Sequence, residues 1–151
     1  MTDFSIKGRI LALDLGGKRV GVAVSDPTRT IATSLTVFER GSRKEDFATV
    51  RQLIAEQEAN LLVMGLPVPL GGEEGEKAAW VRDYTAELEE AIDIPIEFWD
   101  EALTTVQAYE SMRQRGTRAK QAKEWVDAVA AAFILQSYLD AHSGQWEVDS
   151  G

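Results

Sequence analysis

The first forty residues alternate between short apolar runs and turn residues. Residues 9–15 read RILALDL, an apolar run of strand length bounded by Gly8 and by the Gly16-Gly17 pair. Residues 18–25 (KRVGVAVS) alternate well enough for a second strand, and the glycines between the two runs predict a tight hairpin. After the Asp26-Pro27 turn, residues 31–39 predict a third strand, so three antiparallel strands open the fold. Ser42 and Glu45 stand in capping-box spacing, and the helix they start should bury Phe47, Val50, Leu53 and Ile54 and end near Asn60. Residues 61–64 predict a short buried strand stopped by Gly65-Leu66-Pro67, and residues 67–75 a flexible Pro/Gly loop. A helix is expected over about 76–92, then a fifth strand over 95–100. Thr104, with Gln107 in capping-box spacing, predicts a helix to about 114, and residues 120–141 a long closing helix.

This order, β-β-β-α-β-α-β-α-α, predicts an α/β fold in which helices flank a five-stranded mixed sheet whose first three strands are antiparallel. The strand over 9–15 is apolar at nearly every position, as in a strand buried on both faces, and should lie centrally in the sheet. One domain over 9–142 is expected, with an N-terminal tail over 1–8 and a C-terminal tail over 143–151; 151 residues suffice for a real core. No run of eighteen apolar residues exists, which argues against a membrane partner, and residues 1–9 lack the apolar core of a signal peptide. The chain reads as cytoplasmic.

Composition narrows the chemistry. There is no cysteine, and the single histidine is His142. Thiolate metal sites and cysteine nucleophiles are therefore excluded, and a triad or multi-histidine zinc site would rest on one residue. Carboxylates become the default catalytic groups. The net charge of −9 argues, taken alone, against nucleic acid as a partner. Its distribution weakens that objection, because residues 73–101 carry 11 acidic against 2 basic side chains and so contain the whole excess. Arg113, Arg115, Arg118, Lys120 and Lys123 form a basic cluster before the closing helix, either a solvated junction between helices or a phosphate-binding patch.

Three carboxylates call for an explanation. Asp14 interrupts the apolar strand, where a charge is costly unless it is paired or bound to a cation. Capping of the adjacent Gly-Gly turn would also account for it. In the closing helix, Val126, Val129, Ala130 and Phe133 follow core spacing, and the adjacent stripe of Asp127, Ala131, Ile134 and Tyr138 is apolar except for the aspartate. An exposed aspartate favoured by the helix dipole is the plainer reading, but Asp127 stands about two turns in, where that benefit has faded. Asp100 and Glu101 end the fifth strand, and alternation alone leaves open which of them points at a site. Strand-end and helix carboxylates without His or Cys suit hard cations such as Mg²⁺ or Mn²⁺. Two such ions about 4 Å apart can clamp the attacking and leaving oxygens of a phosphodiester.

Residues 11–26, LALDLGGKRVGVAVSD, resemble the opening signature of the YqgF/RuvX family of pre-16S rRNA nucleases, also described as RuvC-like Holliday junction resolvases. VMGLP at 63–67, GGEEGEKA at 71–78, DEALTTVQA at 100–108 and VDAVAAAFILQSYLD at 126–140 follow in the family's order, so the resemblance spans roughly residues 9–140. It implies an RNase H-like fold and a cytoplasmic nuclease that processes the 5′ end of pre-16S rRNA. Asp14 matches the family's first-strand aspartate, Glu101 the glutamate of its Asp-Glu motif and Asp127 the aspartate of its closing helix, the expected catalytic and metal-binding set. Lys18 and Arg19 match its Lys-Arg pair after the glycines and are expected phosphate contacts, with Arg113, Arg115, Arg118 and Lys120 as further nucleic-acid contacts. Two departures stand out. Ala102 occupies the position where the motif usually carries arginine, and the fourth strand ends in Gly65-Leu66-Pro67, where many RNase H-like nucleases have their second carboxylate.

Other functions remain open at this point. An Asp-x-Gly strand and hairpin also begin the phosphate-binding domain of actin-like and sugar-kinase ATPases, but those enclose a nucleotide between two such domains. A non-catalytic RNA-binding module would explain the basic cluster but not buried carboxylates. Within the nuclease reading the substrate is RNA or branched DNA, and the protein a monomer or a homodimer.

Overall fold

The computed structural model describes residues 8–67, 75–101 and 126–143. Strands β1 (Arg9–Leu15), β2 (Arg19–Ser25) and β3 (Ala32–Glu39) form the expected meander. Helix α1 (Arg43–Gln57), strand β4 (Ala59–Leu66), helix α2 (Glu76–Ala91), strand β5 (Ile96–Asp100) and helix α3 (Val126–Ala141) follow. The sheet order is β3-β2-β1-β4-β5, which puts the apolar β1 in the middle. β1 runs antiparallel to β2 and parallel to β4, β3 is antiparallel to β2, and β5 is parallel to β4. The predicted helix over 104–114, the stretch 120–125 and most of the loop over 67–75 lie outside the described residues, as do all of the two tails beyond Gly8 and Ser143.

Alternation along the strands sorts side chains onto two faces. Leu11, Leu13 and Leu15 of β1 join Leu62, Met64 and Leu66 of β4 in a core covered by α1 and α2, which contribute Phe47, Val50, Val81, Tyr84 and Leu88. Ile10 and Ala12 of β1 join Leu61 and Val63 of β4 in a second core beneath α3, which contributes Ala131, Ala132, Ile134, Leu135, Tyr138 and Leu139. With a packed layer on both sides, β1 and β4 are hydrophobic at nearly every position.

Local signals explain most boundaries. The Ser42 side chain accepts from the Glu45 N–H at 3.1 Å, and the Glu45 carboxylate accepts from the Ser42 N–H at 2.9 Å. This is the reciprocal capping box that the spacing predicts. Helix α1 ends at Gln57, short of the expected Asn60, because Glu58 turns left-handed (φ 55°) and its N–H closes on Ala55. The freed residues extend β4 to Ala59–Leu66, longer at both ends than the predicted 61–64. Gly65 and Leu66 remain in the strand, paired with Trp99 and Asp100 of β5. In α3 the buried stripe runs through Ala131, Ile134, Leu135 and Tyr138, while Val129, Ala130 and Phe133 are only half-buried. The helix is therefore rotated toward the stripe on which position 127 falls, not the one through Phe133.

The outer face of α2 carries the acidic excess, with Glu76, Asp83, Glu87, Glu89 and Glu90 all exposed. Arg43 of α1 reaches across to Asp83 at 3.0 Å and Glu87 at 2.9 Å, tying the two helices at the surface. Such exposed pairs contribute little, about 0–1 kcal/mol. Beneath them the buried Asp46 accepts from the Tyr84 hydroxyl at 2.8 Å and from the Gly41 N–H at 2.9 Å.

Candidate active site

Asp14 ends the run of α3-facing residues Ile10, Ala12 and Asp14 on the central strand and is half-buried. On β5 the same alternation sends Ile96 and Phe98 into the core under α1 and α2, and Trp99 into the core under α3. Glu101 follows Trp99 by two residues and so shares its face, with Asp14, whereas Asp100 belongs to the opposite set. That resolves the ambiguity of the Asp-Glu pair. Both carboxylates sit at the C-terminal ends of parallel strands, beside the Gly16-Gly17 turn.

Asp14 and Glu101 are hydrogen-bonded to one another through their side chains, and the Glu101 carboxyl is pushed up from its ordinary 4.5 to about 7. Burial is the main cause, the Asp14 charge the next; Asp100 adds to it, and Lys77 opposes it. Two carboxylates in contact inside a partly closed site cannot both be charged at low cost. Burial and the neighbouring charge therefore favour a protonated carboxyl within the pair as the pH falls toward and below neutrality.

The turn after Asp14 is held from several directions. The Gly16 N–H donates to the Arg19 carbonyl at 2.9 Å, and a Cβ on Gly16 would lie 2.8 Å from that same oxygen, so glycine is required there. The Arg40 guanidinium donates to the carbonyls of Gly17 at 2.8 Å and Gly16 at 3.3 Å and lies 4.5 Å from the Trp80 ring centre. The Arg40 N–H donates to the Lys18 carbonyl at 2.8 Å. Lys18 and Arg19 are thereby presented, exposed, from a braced turn at the same end of the sheet as Asp14.

Of the sequence-predicted site residues, the structure brings Asp14 and Glu101 together. The backbone of Asp127 lies in α3, one turn before the buried Ala131, and its side chain lies outside the described residues. Arg113, Arg115, Arg118 and Lys120 also lie outside them, as does Ala102. Among the described residues no three His, Cys, Asp or Glu side chains gather as a metal site. The pair nevertheless fits a hard divalent cation. All of its donors are carboxylate oxygens, and a cation would relieve the repulsion that lifts Glu101.

Lys77 was not singled out from the sequence. It is exposed in the first turn of α2, yet its charge acts on Glu101. A lysine in an acidic helix reads as a solvated surface residue, and only the packing of α2 over the end of β4 brings it near the carboxylates.

The sequence profile of the RuvX family, described as Holliday junction resolvase, matches residues 8–141. A "Putative pre-16S rRNA nuclease" from Thermoanaerobacter pseudethanolicus is 42% identical over 139 residues, covering 91% of this chain and 99% of its own. A protein of the same name from Rhodobacter capsulatus is 44% identical over 140 residues, covering 91% of this chain and 88% of its own. Among solved structures, T. thermophilus RuvC in complex with a Holliday junction substrate superposes with a TM-score of 0.56 at 14% identity, over 91% of this chain and 96% of that one. The fowlpox virus resolvase in complex with Holliday junction DNA gives 0.54 at 12% identity, over 89% and 99%. At these identities the structural likeness establishes a shared fold, the RuvC-like, RNase H-like arrangement expected from the order of strands and helices. The profile match over 8–141 and relatives above 40% identity across nine-tenths of the chain establish more: this protein belongs to the RuvX family.

Proposed function

We propose that this protein is a divalent-metal-dependent nuclease that hydrolyses phosphodiester bonds in the 5′ leader of pre-16S rRNA, with Asp14, Glu101 and Asp127 holding Mg²⁺ or Mn²⁺. One observation carries the reading. The Asp14 carboxylate at the end of β1 and the Glu101 carboxylate just past the end of β5 are hydrogen-bonded to one another across β4, and burial with the Asp14 charge pushes the Glu101 carboxyl up. Two carboxylates brought together in a partly buried site suit a cation held between oxygen donors.

When bound, divalent ions supply Lewis-acid activation of water and neutralise charge developing on the phosphate. The remaining work falls to the chain. The ends of β1 and β5 position Asp14 and Glu101, and Asp127 of α3 is taken as the third ligand. Asp14 and Glu101 would hold such a cation as carboxylates, the Glu101 proton passing to solvent. Lys77 adds positive potential beside the carboxylates and is suited to bind a phosphate next to the scissile one. Lys18 and Arg19 extend that track from the braced turn, and Arg113, Arg115, Arg118 and Lys120 are assigned to the substrate backbone. A role in rRNA maturation implies a cytoplasmic protein.

RNA is favoured as substrate by the name of the curated relatives at about 40% identity. The exposed acidic face of α2 leans the same way, because it disfavours wrapping several duplex arms. A second reading, cleavage of four-way DNA, is favoured by the description of the matching family. A side-by-side assay with Mg²⁺ or Mn²⁺ separates the two, comparing a pre-16S 5′ leader, unstructured RNA and a mobile four-way junction. Faster cleavage of the leader is expected. Paired symmetric nicks in the junction, faster than any RNA cleavage and absent from the Asp14→Asn protein, would overturn it.

A further inference from the structure

Asp14 and Glu101 do not lie on neighbouring strands. The sheet order places β4 between β1 and β5, and two strand spacings amount to about 10 Å. The register shows what lies between the carboxylates: Leu13 of β1 pairs with Met64, and Gly65 pairs with Trp99 of β5. On β4, Leu61 and Val63 point toward α3, so position 65 would point there too. A side chain at this position would project between Asp14 and Glu101, and the residue is glycine. A Cβ built on Gly65 would lie 3.0 Å from Glu101 Oε2, 3.4 Å from Glu101 Cγ and 2.7 Å from Ile134 Cδ1. The carboxylate of Glu101 thus occupies the space that a β4 side chain would fill.

We infer that Gly65 is a positioning residue for the metal site, its missing side chain being the gap across which Glu101 reaches the central strand to join Asp14. Leu66, the next residue, points into the opposite core and plays no part. Glycine in a strand interior weakens the strand, so its presence here calls for a reason such as close approach of another group. The backbone is extended and needs no glycine for its own conformation. Space is what the glycine provides.

The two contacts respond differently to a methyl group. Ile134 Cδ1, the closer one, is the end of a flexible side chain and can turn away, whereas Glu101 is met at both Oε2 and Cγ and must draw back by a few tenths of an ångström, shifting its carboxylate against Asp14. Gly65→Ala should therefore fold and misalign the carboxylate pair. The inference rests on the metal-site reading, and Mn²⁺ titration of the full-length protein by calorimetry, alongside thermal melts, keeps the two distinguishable. Wild type should bind Mn²⁺ and Asp14→Asn should not; absence of binding by wild type would overturn both. Gly65→Ala should melt cooperatively and bind Mn²⁺ roughly 10–100-fold more weakly, the scale of removing support from a metal ligand. Ile134→Val removes the other clashing atom. If displacement of Glu101 is the cause, Gly65→Ala/Ile134→Val stays as weak as Gly65→Ala, while Ile134→Val alone binds like wild type. Unchanged Mn²⁺ affinity in Gly65→Ala, or recovery of affinity in the double variant, would overturn the positioning role and leave the metal site standing.

Discussion

The two ends of the sheet treat their carboxylates in opposite ways. At the end of β2, Asp26 accepts hydrogen bonds from the N–H groups of Thr30 and Ile31, both at 2.8 Å, from the Thr28 N–H at 3.2 Å and from the Thr28 hydroxyl. Slight burial works against its charge, but these donors outweigh it and hold the carboxyl at about 2. At the end of β1 and β5, burial and the charge of Asp14 hold Glu101 up at about 7. One carboxyl is held charged by the donors of its own loop; the other is held up by burial and by a neighbouring carboxylate. A carboxylate that shapes a turn is supplied with donors from its own loop, whereas two carboxylates in contact raise the cost of charging both and are suited to the cation proposed for them.

The largest expected effect falls on the Asp14–Glu101 end. Asp14→Asn should reduce cleavage of an RNA leader by about 100-fold or more, the scale of losing one charge-stabilising group in a site. Its metal-free Tm should equal or exceed that of wild type, because the repulsion with Glu101 is gone. A folded Asp14→Asn protein with full activity would remove the contrast between the two ends. The control is Asp26→Ala, which should cleave normally.

The pH dependence of metal-free stability should separate the two ends further. Glu101 has a folded pKa above its ordinary 4.5, so the folded state keeps its proton longer than the unfolded state. Its contribution is complete below about 4.5 and is lost as the pH rises through about 7. Asp26 has a folded pKa below its ordinary 3.8, so its contribution is present above 3.8 and lost as the pH falls through about 2. Thermal melts in chelator should show a decline from pH 5 to pH 8 that Glu101→Gln flattens and Mg²⁺ reduces. A profile that is unchanged by Glu101→Gln would contradict a raised Glu101 carboxyl. The smallest effect is on the Asp26 end, where Asp26→Ala should cost about 1 kcal/mol, the net value of a typical hydrogen bond. Urea unfolding at neutral pH measures it.

Much of this contrast was legible in the sequence. A lone aspartate in RILALDL marks a buried charge, and the central position of its strand follows from the apolar residues around it. The Ser42–Glu45 box and the Gly-Gly turn are local patterns, and both formed as read, as did the order of the described elements from β1 to β5 and the closing helix. Glu101 was legible as a candidate only, because alternation gives two faces without saying which one the closing helix covers. What escaped the sequence depends on contacts between distant segments. Gly65 before Leu66-Pro67 reads as the end of a strand, and its actual service, leaving room for a side chain from β5, exists only once β4 lies between β1 and β5. The end of α1 at Gln57 depends on Glu58 adopting a left-handed conformation that no glycine announces. Lys77 is hidden by its acidic neighbours until α2 packs over the strand ends.

Anomalous diffraction from crystals of the full-length protein soaked in Mn²⁺ tests whether Asp14 and Glu101, joined by Asp127, form the proposed cation site. Mn²⁺ density is expected between the carboxylates of Asp14 and Glu101, with Asp127 within coordination distance and no Mn²⁺ density at Asp26. Mn²⁺ that binds elsewhere, or a vacant Asp14–Glu101 pair in crystals that cleave RNA on soaking with Mn²⁺, would contradict that site.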